Sequence, residues 1–439
     1  PPPPYTPPGT IETRKGFRPL ALSHGFFDSL RGLPMRQPAF LRKQRPAATG
    51  RRAAQEEVMK KAGKKSTLIA SGVMLVVCAL LCLIPDAYTN PSSLIPREQV
   101  RIESVDNTQL APLGIVYSGS QTCEVTVLSG EYAGETALAS NYQNSALDKD
   151  KLFEPGDTAY AMVQMGANGL MVTLIDHSRT GAELGIFAAL ALALIAVGGA
   201  VGCGALVSLV SSVVIVWKLL IPLLLDGVNP ILASFLTVLA LTAVIDLLVA
   251  GCTRKCLVAL TGSLLGTLVT CVLAYAFTNL LKLDGGDTPY IVPLLAQTSM
   301  TIDPRALFIG MVFIANAGAL MDLSMDVAIS CEEIVYHRPD ISRVELLKSG
   351  ISIGRGVLGT QTTTLMLAYS GNYLSMLMYF AGQGTPVMDI LNLKYVSSQL
   401  MNTLVGSFGL VVVAPLTAIA ASILFTRRAK VAPAASEAQ

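Results

Sequence analysis

Long apolar segments without a charged residue are the feature that most limits what this chain can fold into. Leu184–Val201 and Ile231–Ile245 contain no Asp, Glu, Lys or Arg, and a helix needs about 20 mainly apolar residues to cross the hydrocarbon core of a bilayer. Only 14% of the 439 residues are charged, whereas soluble domains contain about 25%. The sequence therefore predicts an α-helical integral membrane protein, with the lipid bilayer as its main solvent and partner.

The N-terminal part of the chain is rich in proline and basic residues. Residues 1–65 begin with four prolines and have no sustained apolar period, which predicts a disordered basic tail in the cytoplasm. An apolar run at 66–85 follows; it is longer than the apolar core of most signal peptides and ends in a poor cleavage site. We expect transmembrane helix 1 over 66–85, and a cleaved signal peptide is the alternative.

The pattern changes between residues 86 and 181. Short runs of alternating apolar residues, such as Val100–Val105 and Cys123–Leu128, are separated by turn residues such as Pro155 and Gly156. This pattern predicts a small β-rich domain, a partly open barrel. Because isolated strands cannot satisfy their backbone groups in lipid, we expect this domain in water, on the extracytoplasmic side.

Residues 182–425 are mostly apolar and predict a seven-helix transmembrane domain. With the first helix this makes about eight transmembrane helices, and residues 426–439 form a second cytoplasmic tail. The seven helices are expected near residues 182–202, 205–225, 229–250, 257–281, 306–330, 357–381 and 401–425.

The distribution of basic residues predicts the orientation of these helices. Lys and Arg are concentrated at 254–255, 338–355 and 427–430, on the same side as the basic N-terminal tail. Cytoplasmic loops carry an excess of Lys and Arg. Both termini are therefore expected in the cytoplasm and the β-rich domain outside.

Short motifs in the C-terminal half occur in a specific order. They are Gly318–Asp322, Ser349–Arg355, Leu358–Thr360, Leu365–Gly371, Leu404–Leu410 and Pro415–Ala418. This ordered set resembles the YibE/F family of bacterial multi-pass membrane proteins, over roughly residues 100–425. The resemblance implies a multi-pass protein of the bacterial plasma membrane, of a family usually supposed to be transporters.

The chain departs from the family pattern at four positions. Gly356 stands where an acidic residue is usual, Thr363 where Asn is common, and Lys394 and Gln399 where Glu is usual. These differences weaken the expectation that an acidic ion site shared by the family is complete in this chain.

Two carboxylates on the predicted sixth helix are the first candidates for a site. Asp322 and Asp326 are four residues apart and therefore lie on one face of a helix. An ionisable group at membrane depth is costly unless it faces a cavity or a partner. The two acids can share a proton or hold a small cation; alternatively, Asp326 reaches the membrane interface or pairs with a loop arginine.

Lys218 is a second candidate, within the predicted third helix and next to Trp217. It can pair with Asp246 or Asp322 across the bundle, or extend outward towards Asp226.

Hydroxyl groups on the seventh helix complete a predicted polar path. Thr360 and Thr364 lie near one helical stripe, with Arg355 at its cytoplasmic mouth, and Asn402 on the last helix is a further member. The alternative is that the hydroxyls bond to carbonyls of their own helix.

Several classes of function are disfavoured. Basic residues are not interleaved with aromatic residues on one surface, so nucleic acid is not an expected partner. The sequence contains no nucleotide, zinc-protease or serine-hydrolase motif, and Cys252 and Cys256 lack two further ligands for zinc. We therefore expect neither an enzyme nor a cofactor or metal.

These observations predict a transporter or permease that moves a small solute or ion, with the β-rich domain covering or gating its outer mouth. The alternative is a membrane scaffold or receptor whose β-rich domain binds an extracellular partner. Seven helices after that domain are more than an anchor requires.

Overall fold

The computed structural model describes residues 68–84, 95–166, 169–297, 302–371 and 373–426. The predicted tail at 1–65 lies outside these residues, as does all but the first residue of the predicted tail at 426–439. A first helix, α1 (Leu68–Cys82), precedes the β-rich part of the chain. It is apolar but its described length is shorter than a bilayer span.

Six strands form the β-rich domain predicted for residues 86–181. They are β1 (Arg97–Asp106), β2 (Leu110–Leu113), β3 (Val116–Val127), β4 (Thr136–Asn144), β5 (Thr158–Gly166) and β6 (Gly169–His177). The sheet order is β1-β5-β6-β4-β3-β2, and a further β1–β3 pairing closes it into a barrel. All pairings are antiparallel except β4 with β6, which are registered at one position, Ala139 opposite Val172. The barrel is therefore partly open, as predicted, along the β4–β6 seam.

The barrel core follows from the period of two in the strands. Alternate residues of β3, Cys123, Val125 and Val127, are buried, because successive side chains of a strand point to opposite faces. The loop between β4 and β5 places Phe153 in this core. The amide of Gln121 holds it there: Nε2 donates to the Phe153 carbonyl at 3.0 Å, and Oε1 accepts from the Phe153 backbone N–H at 3.1 Å.

The first helix after the barrel, α2, runs over Thr180–Leu225. The sequence predicted two helices here, at 182–202 and 205–225; the structure has two helical segments joined across a kink at Gly199, whose φ is 54°. Only glycine adopts this conformation readily. Residues Val216–Leu220 form a π-helical segment within α2.

Eight further helices follow within the described residues. They are α3 (Pro230–Ala250), α4 (Arg254–Leu280), α5 (Ile291–Gln297), α6 (Pro304–His337), α7 (Arg343–Gly371), α8 (Leu374–Gly382), α9 (Val387–Asn392) and α10 (Lys394–Thr426). The side chains of Asn229 and Asp303 cap α3 and α6, and a proline is the next residue in both cases. An Asn or Asp cap followed by proline favours the start of a helix. The cap side chain accepts from a free backbone N–H of the first turn, and proline has no N–H that would be left without a partner there.

The bundle is held together by close contacts of α10 with α4, α6 and α7. A side-chain carbon added at Gly262 of α4 would lie 2.8 Å from Cβ of Thr417, and one added at Gly354 of α7 would lie 2.6 Å from Cβ of Ala414. Small residues let helix backbones approach closely, which is a main source of helix association in lipid. Glycine is therefore required at these crossings.

Five helices within the described ranges are long and apolar enough to cross a membrane: α2, α3, α4, α6 and α10. The prediction of about eight is not confirmed. The segment expected as a span at 357–381 is divided between α7 and α8, and α7 is not apolar enough to qualify, because it carries a run of threonines, several glycines and Arg355.

Candidate functional site

One face of α6 is exposed although the rest of this helix is buried in the bundle. The exposed residues are Met311, Ala315, Gly318, Asp322, Asp326, Ile329 and Glu333. Their spacing of three or four residues places them in a single stripe. Asp322 and Asp326 therefore lie on one face, as the sequence predicted. Within this 34-residue helix, Asp322 lies near the middle and Asp326 lies one turn closer to the C-terminal end.

Asp246 of α3 lies behind this stripe. Its side chain is 1% exposed, and its Oδ2 atom has no hydrogen-bond partner. Asp322 lies within electrostatic range of Asp246, and Asp326 lies within range of Asp322. Three carboxylates thus extend from the exposed face of α6 into the bundle. The sequence signal for Asp246 was a single acidic residue in an otherwise uncharged apolar helix.

A groove between α6 and α7 lies at the C-terminal end of this stripe. Ile353 of α7 lines a cavity together with Ile329 and Glu333 of α6. Thr360 and Thr364 lie seven and eleven residues after Ile353 and therefore share its helical face. The threonine stripe thus continues along α7 from a residue that lines the groove.

The hydroxyls of the threonine stripe are bound to their own helix. Thr360 donates to the Val357 carbonyl at 2.8 Å, and Thr364 donates to the Thr360 carbonyl at 2.9 Å. Each oxygen keeps lone pairs that can accept a hydrogen bond from a solute. The threonine hydroxyl oxygens can therefore accept hydrogen bonds from a solute, whereas their hydrogens are already donated to carbonyls of α7.

Two predicted members of the polar path do not face this groove. Arg355 is two residues from Ile353, which places it about 200° around α7. Lys218 donates to the carbonyl of Ile84, at the end of α1, at 2.9 Å. Along α2 and α3, Lys218 lies about 12 Å and Asp246 about 25 Å from the connecting turn at 1.5 Å per residue, so the predicted pairing of Lys218 with Asp246 is not formed.

Asn402 belongs to a separate polar cluster in the bundle. Its Oδ1 accepts from Nδ2 of Asn316 at 2.8 Å, and the hydroxyl of Tyr369 donates to Oδ1 of Asn316 at 3.2 Å. Asn316 is fully buried on α6. Sequence analysis missed Asn316 and Tyr369; a lone amide within the apolar α6 segment was the available signal.

A third polar group lies where α4 ends and α10 begins. Nζ of Lys394 is 2.7 Å from Oδ2 of Asp284, and this hydrogen bond lowers the pKa of Asp284. Gln399 donates to the hydroxyl of Tyr373 at 2.9 Å. Lys394, one of the departures from the family pattern, therefore ties α10 to the loop after α4.

The described residues contain no group of three or more His, Cys, Asp or Glu side chains arranged to hold a metal ion.

Comparison with known proteins identifies the helical part of the chain. The model of the YibE/F-like protein family matches residues 186–427, more than half of the chain. No curated protein sequence and no solved structure matches. The matched region begins in α2 and contains all three carboxylates of the groove. Together with its apolar helices, this match shows that the chain is a membrane protein of the YibE/F-like family.

Proposed function

We propose that this protein is a multi-pass transporter or permease of the plasma membrane that moves a small solute or ion. In this proposal both termini are cytoplasmic and the barrel lies outside, where it covers or gates the outer mouth. The distribution of Lys and Arg supports the orientation.

The buried Asp246 beside Asp322 is the observation that carries the proposal. A carboxylate at membrane depth without a partner is costly, and such groups usually mark ion or substrate pathways. Asp246 has an unpartnered oxygen inside a bundle of apolar helices. A protein that served only as an anchor would gain nothing from retaining it.

The groove supplies the second element of a transport path. Its walls carry carboxylates on α6 and hydroxyl oxygens on α7, both exposed. The cavity at the end of the stripe is lined by Glu333 and also by His337 and Arg338, so it offers groups of both charge signs to a polar solute, and Asp322 and Asp326 add acidic groups along the stripe.

Uptake into proteoliposomes tests the proposal. The purified full chain would be screened with small cations and metabolites, with and without a pH gradient, beside Asp322→Asn and the control Asp340→Asn, which changes an exposed residue in the turn between α6 and α7. Flux that is lost in Asp322→Asn and kept in Asp340→Asn is the expected result. Unchanged uptake in Asp322→Asn would remove the groove from the mechanism.

A scaffold or receptor is the second candidate, because the barrel exposes large apolar side chains. Leu138 and Tyr142, four residues apart on the outer face of β4, are each 70% exposed. Neighbouring exposed apolar side chains of this size are typical of protein contacts. Sealed proteoliposomes without flux for any solute, together with capture of a partner that Tyr142→Ser abolishes, would favour this function.

A further inference from the structure

We infer that Asp326, Asp322 and Asp246 form a proton relay that leads from the groove into the bundle, with Asp246 as the inner proton-binding group. The inference deepens the proposed function and depends on it for its biological role. It identifies the coupling or transported ion as a proton.

The order of exposure along the three residues gives the relay its direction. Asp326 and Asp322 are exposed on the α6 stripe, whereas Asp246 is 1% exposed. Asp322 is within electrostatic range of both other carboxylates. A proton therefore meets a surface acid first, then an intermediate one, and last an acid that is enclosed by protein.

The charged group recorded within electrostatic range of Asp246 in the described part of the chain is a second carboxylate, Asp322. Among the described groups, Asp322 on α6 and the thiol of Cys256 at the start of α4 lie within electrostatic range of Asp246. The helices packed against α3 also carry Arg254, Lys255 and Lys218. Two of these cations contact other groups: Lys255 lies 3.6 Å from Glu332, and Lys218 donates to the Ile84 carbonyl. Within the described ranges, a proton or an external cation is thus what neutralises Asp246.

Nearby hydroxyls favour a proton over a metal cation. Thr242, one turn before Asp246, donates to the Val238 carbonyl at 2.7 Å, and Ser324 donates to the Met321 carbonyl at 2.9 Å. These groups are held by their own helices rather than arranged around a shared centre. A proton needs one oxygen, whereas a metal ion needs a shell of them.

Each transfer along the relay conserves atoms and charge. When side-chain motion brings the two carboxyl groups into hydrogen-bond contact, the O–H bond of a protonated Asp322 breaks as an O–H bond forms on the Asp246 carboxylate, and the negative charge moves from Asp246 to Asp322. Asp326 then returns a proton to Asp322 by the same exchange. No oxidant, reductant or further reactant takes part.

Infrared difference spectroscopy of the purified full chain in lipid tests the relay without requiring a substrate. The carbonyl stretch of a protonated carboxylic acid is separate from that of carboxylates, so one protonated side chain is visible at neutral pH. The expected result is such a band in the native chain and in Asp340→Asn, and its loss in Asp246→Asn. A band that persists in Asp246→Asn overturns the inference.

Two further measurements cover the other cases. If Asp246→Asn does not fold, ¹³C labelling of aspartate in the otherwise native chain should shift the band to lower frequency. Asp322→Asn should also change the frequency of the band, because the side chain next to Asp246 has lost its charge. If either change is not observed, the inference is wrong. Replacement of choline by Na⁺ or K⁺ at constant pH should leave the band in place. Its loss would identify a metal-cation site instead.

The role of Asp326 is tested by the rate at which this band shifts after transfer to D₂O. The shift should be slower in Asp326→Asn than in Asp340→Asn, and equal rates would remove Asp326 from the relay. These outcomes are independent of the flux assay. A band without any flux would support the proton site and contradict the transport function, whereas flux without a band would support transport and contradict the proton site.

Discussion

Nδ2 of Asn316 on α6 lies 2.8 Å from Oδ1 of Asn402 on α10, in the interior of the bundle. The same amide also donates to the Val312 carbonyl, and its oxygen accepts from Tyr369 on α7. Three helices are therefore joined at one buried side chain. In an apolar bundle such a cluster fixes the register of the helices, because any shift would leave a buried amide without partners.

Removal of one member should destabilise the bundle. Asn402→Ala leaves the buried Asn316 amide with an unsatisfied donor, which costs about 1–3 kcal/mol. We expect a lower melting temperature in detergent, measured by light scattering or by the fluorescence of a thiol-reactive probe. Thr403→Ala is the matched control, because Thr403 bonds only to the Gln399 carbonyl of its own helix. Equal melting temperatures of the two variants would contradict this role.

Two glycines on different helices should respond differently to replacement by alanine. In Gly262→Ala the new methyl group would lie 2.8 Å from Cβ and 3.1 Å from Cα of Thr417, whereas in Gly359→Ala it meets nothing within 4 Å. Overpacking typically costs about 1–3 kcal/mol. Gly262→Ala should therefore lower the melting temperature and the yield of folded protein, while Gly359→Ala should match the native chain.

The groove should admit water-soluble reagents if it is part of a transport path. In a background without the exposed Cys82 and Cys252, Thr360→Cys is expected to react with a charged methanethiosulfonate in membranes. Met366→Cys is a control at a position that is exposed but six residues further on, about 240° around α7. Labelling of Met366→Cys alone would show that the groove is filled by lipid.

The thiol of Cys123 should be inert in the folded barrel. Burial raises the pKa of this thiol to about 11, and the thiolate is the reactive form. At pH 8 we expect iodoacetamide to modify the exposed Cys252 in the native chain, and to modify Cys123 only when denaturant opens the barrel. Peptide mass spectrometry separates the two sites. Rapid modification of Cys123 without denaturant would show that the barrel opens locally.

The contact between Lys394 and Asp284 predicts a small dependence of stability on pH. The hydrogen bond from Lys394 lowers the pKa of Asp284 in the folded state, so its stabilisation is present above the unfolded carboxyl pKa of about 4 and is lost as the pH falls through the folded value. Both side chains are largely exposed, which limits the effect to about 1 kcal/mol or less. The difference in melting temperature between the native chain and Lys394→Met should be present at pH 7 and vanish in strong acid.

Local patterns predicted much of the architecture. The alternation around Cys123 and Val125 predicted a strand of the barrel, and the apolar run after Asn229 and Pro230 predicted α3 almost to the residue. These features depend on period and capping, which a short stretch of sequence contains. The spacing of Asp322 and Asp326 likewise placed them on one face.

The remaining features depend on residues that are distant in the chain. Asn402 was predicted in a path with Asp322, yet it contacts Asn316, because the rotation of α10 against α6 is set by glycines such as Gly406 packing on α6. A break between two helices was predicted a few residues too late, at 202–205 rather than at Gly199, because Gly198, Gly199, Gly202 and Gly204 all lie in this stretch and local sequence does not say which of them takes the left-handed conformation.

The junction between barrel and bundle has a mechanical consequence. β6 ends at His177 and α2 begins at Thr180, and the intervening Arg179 forms an ion pair with Asp176 at 3.0 Å. Two residues reach at most about 7 Å. The barrel is therefore joined to α2 by a short, tethered linker. A rotation of the barrel that a bound partner imposes would be transmitted directly to the N-terminal end of α2.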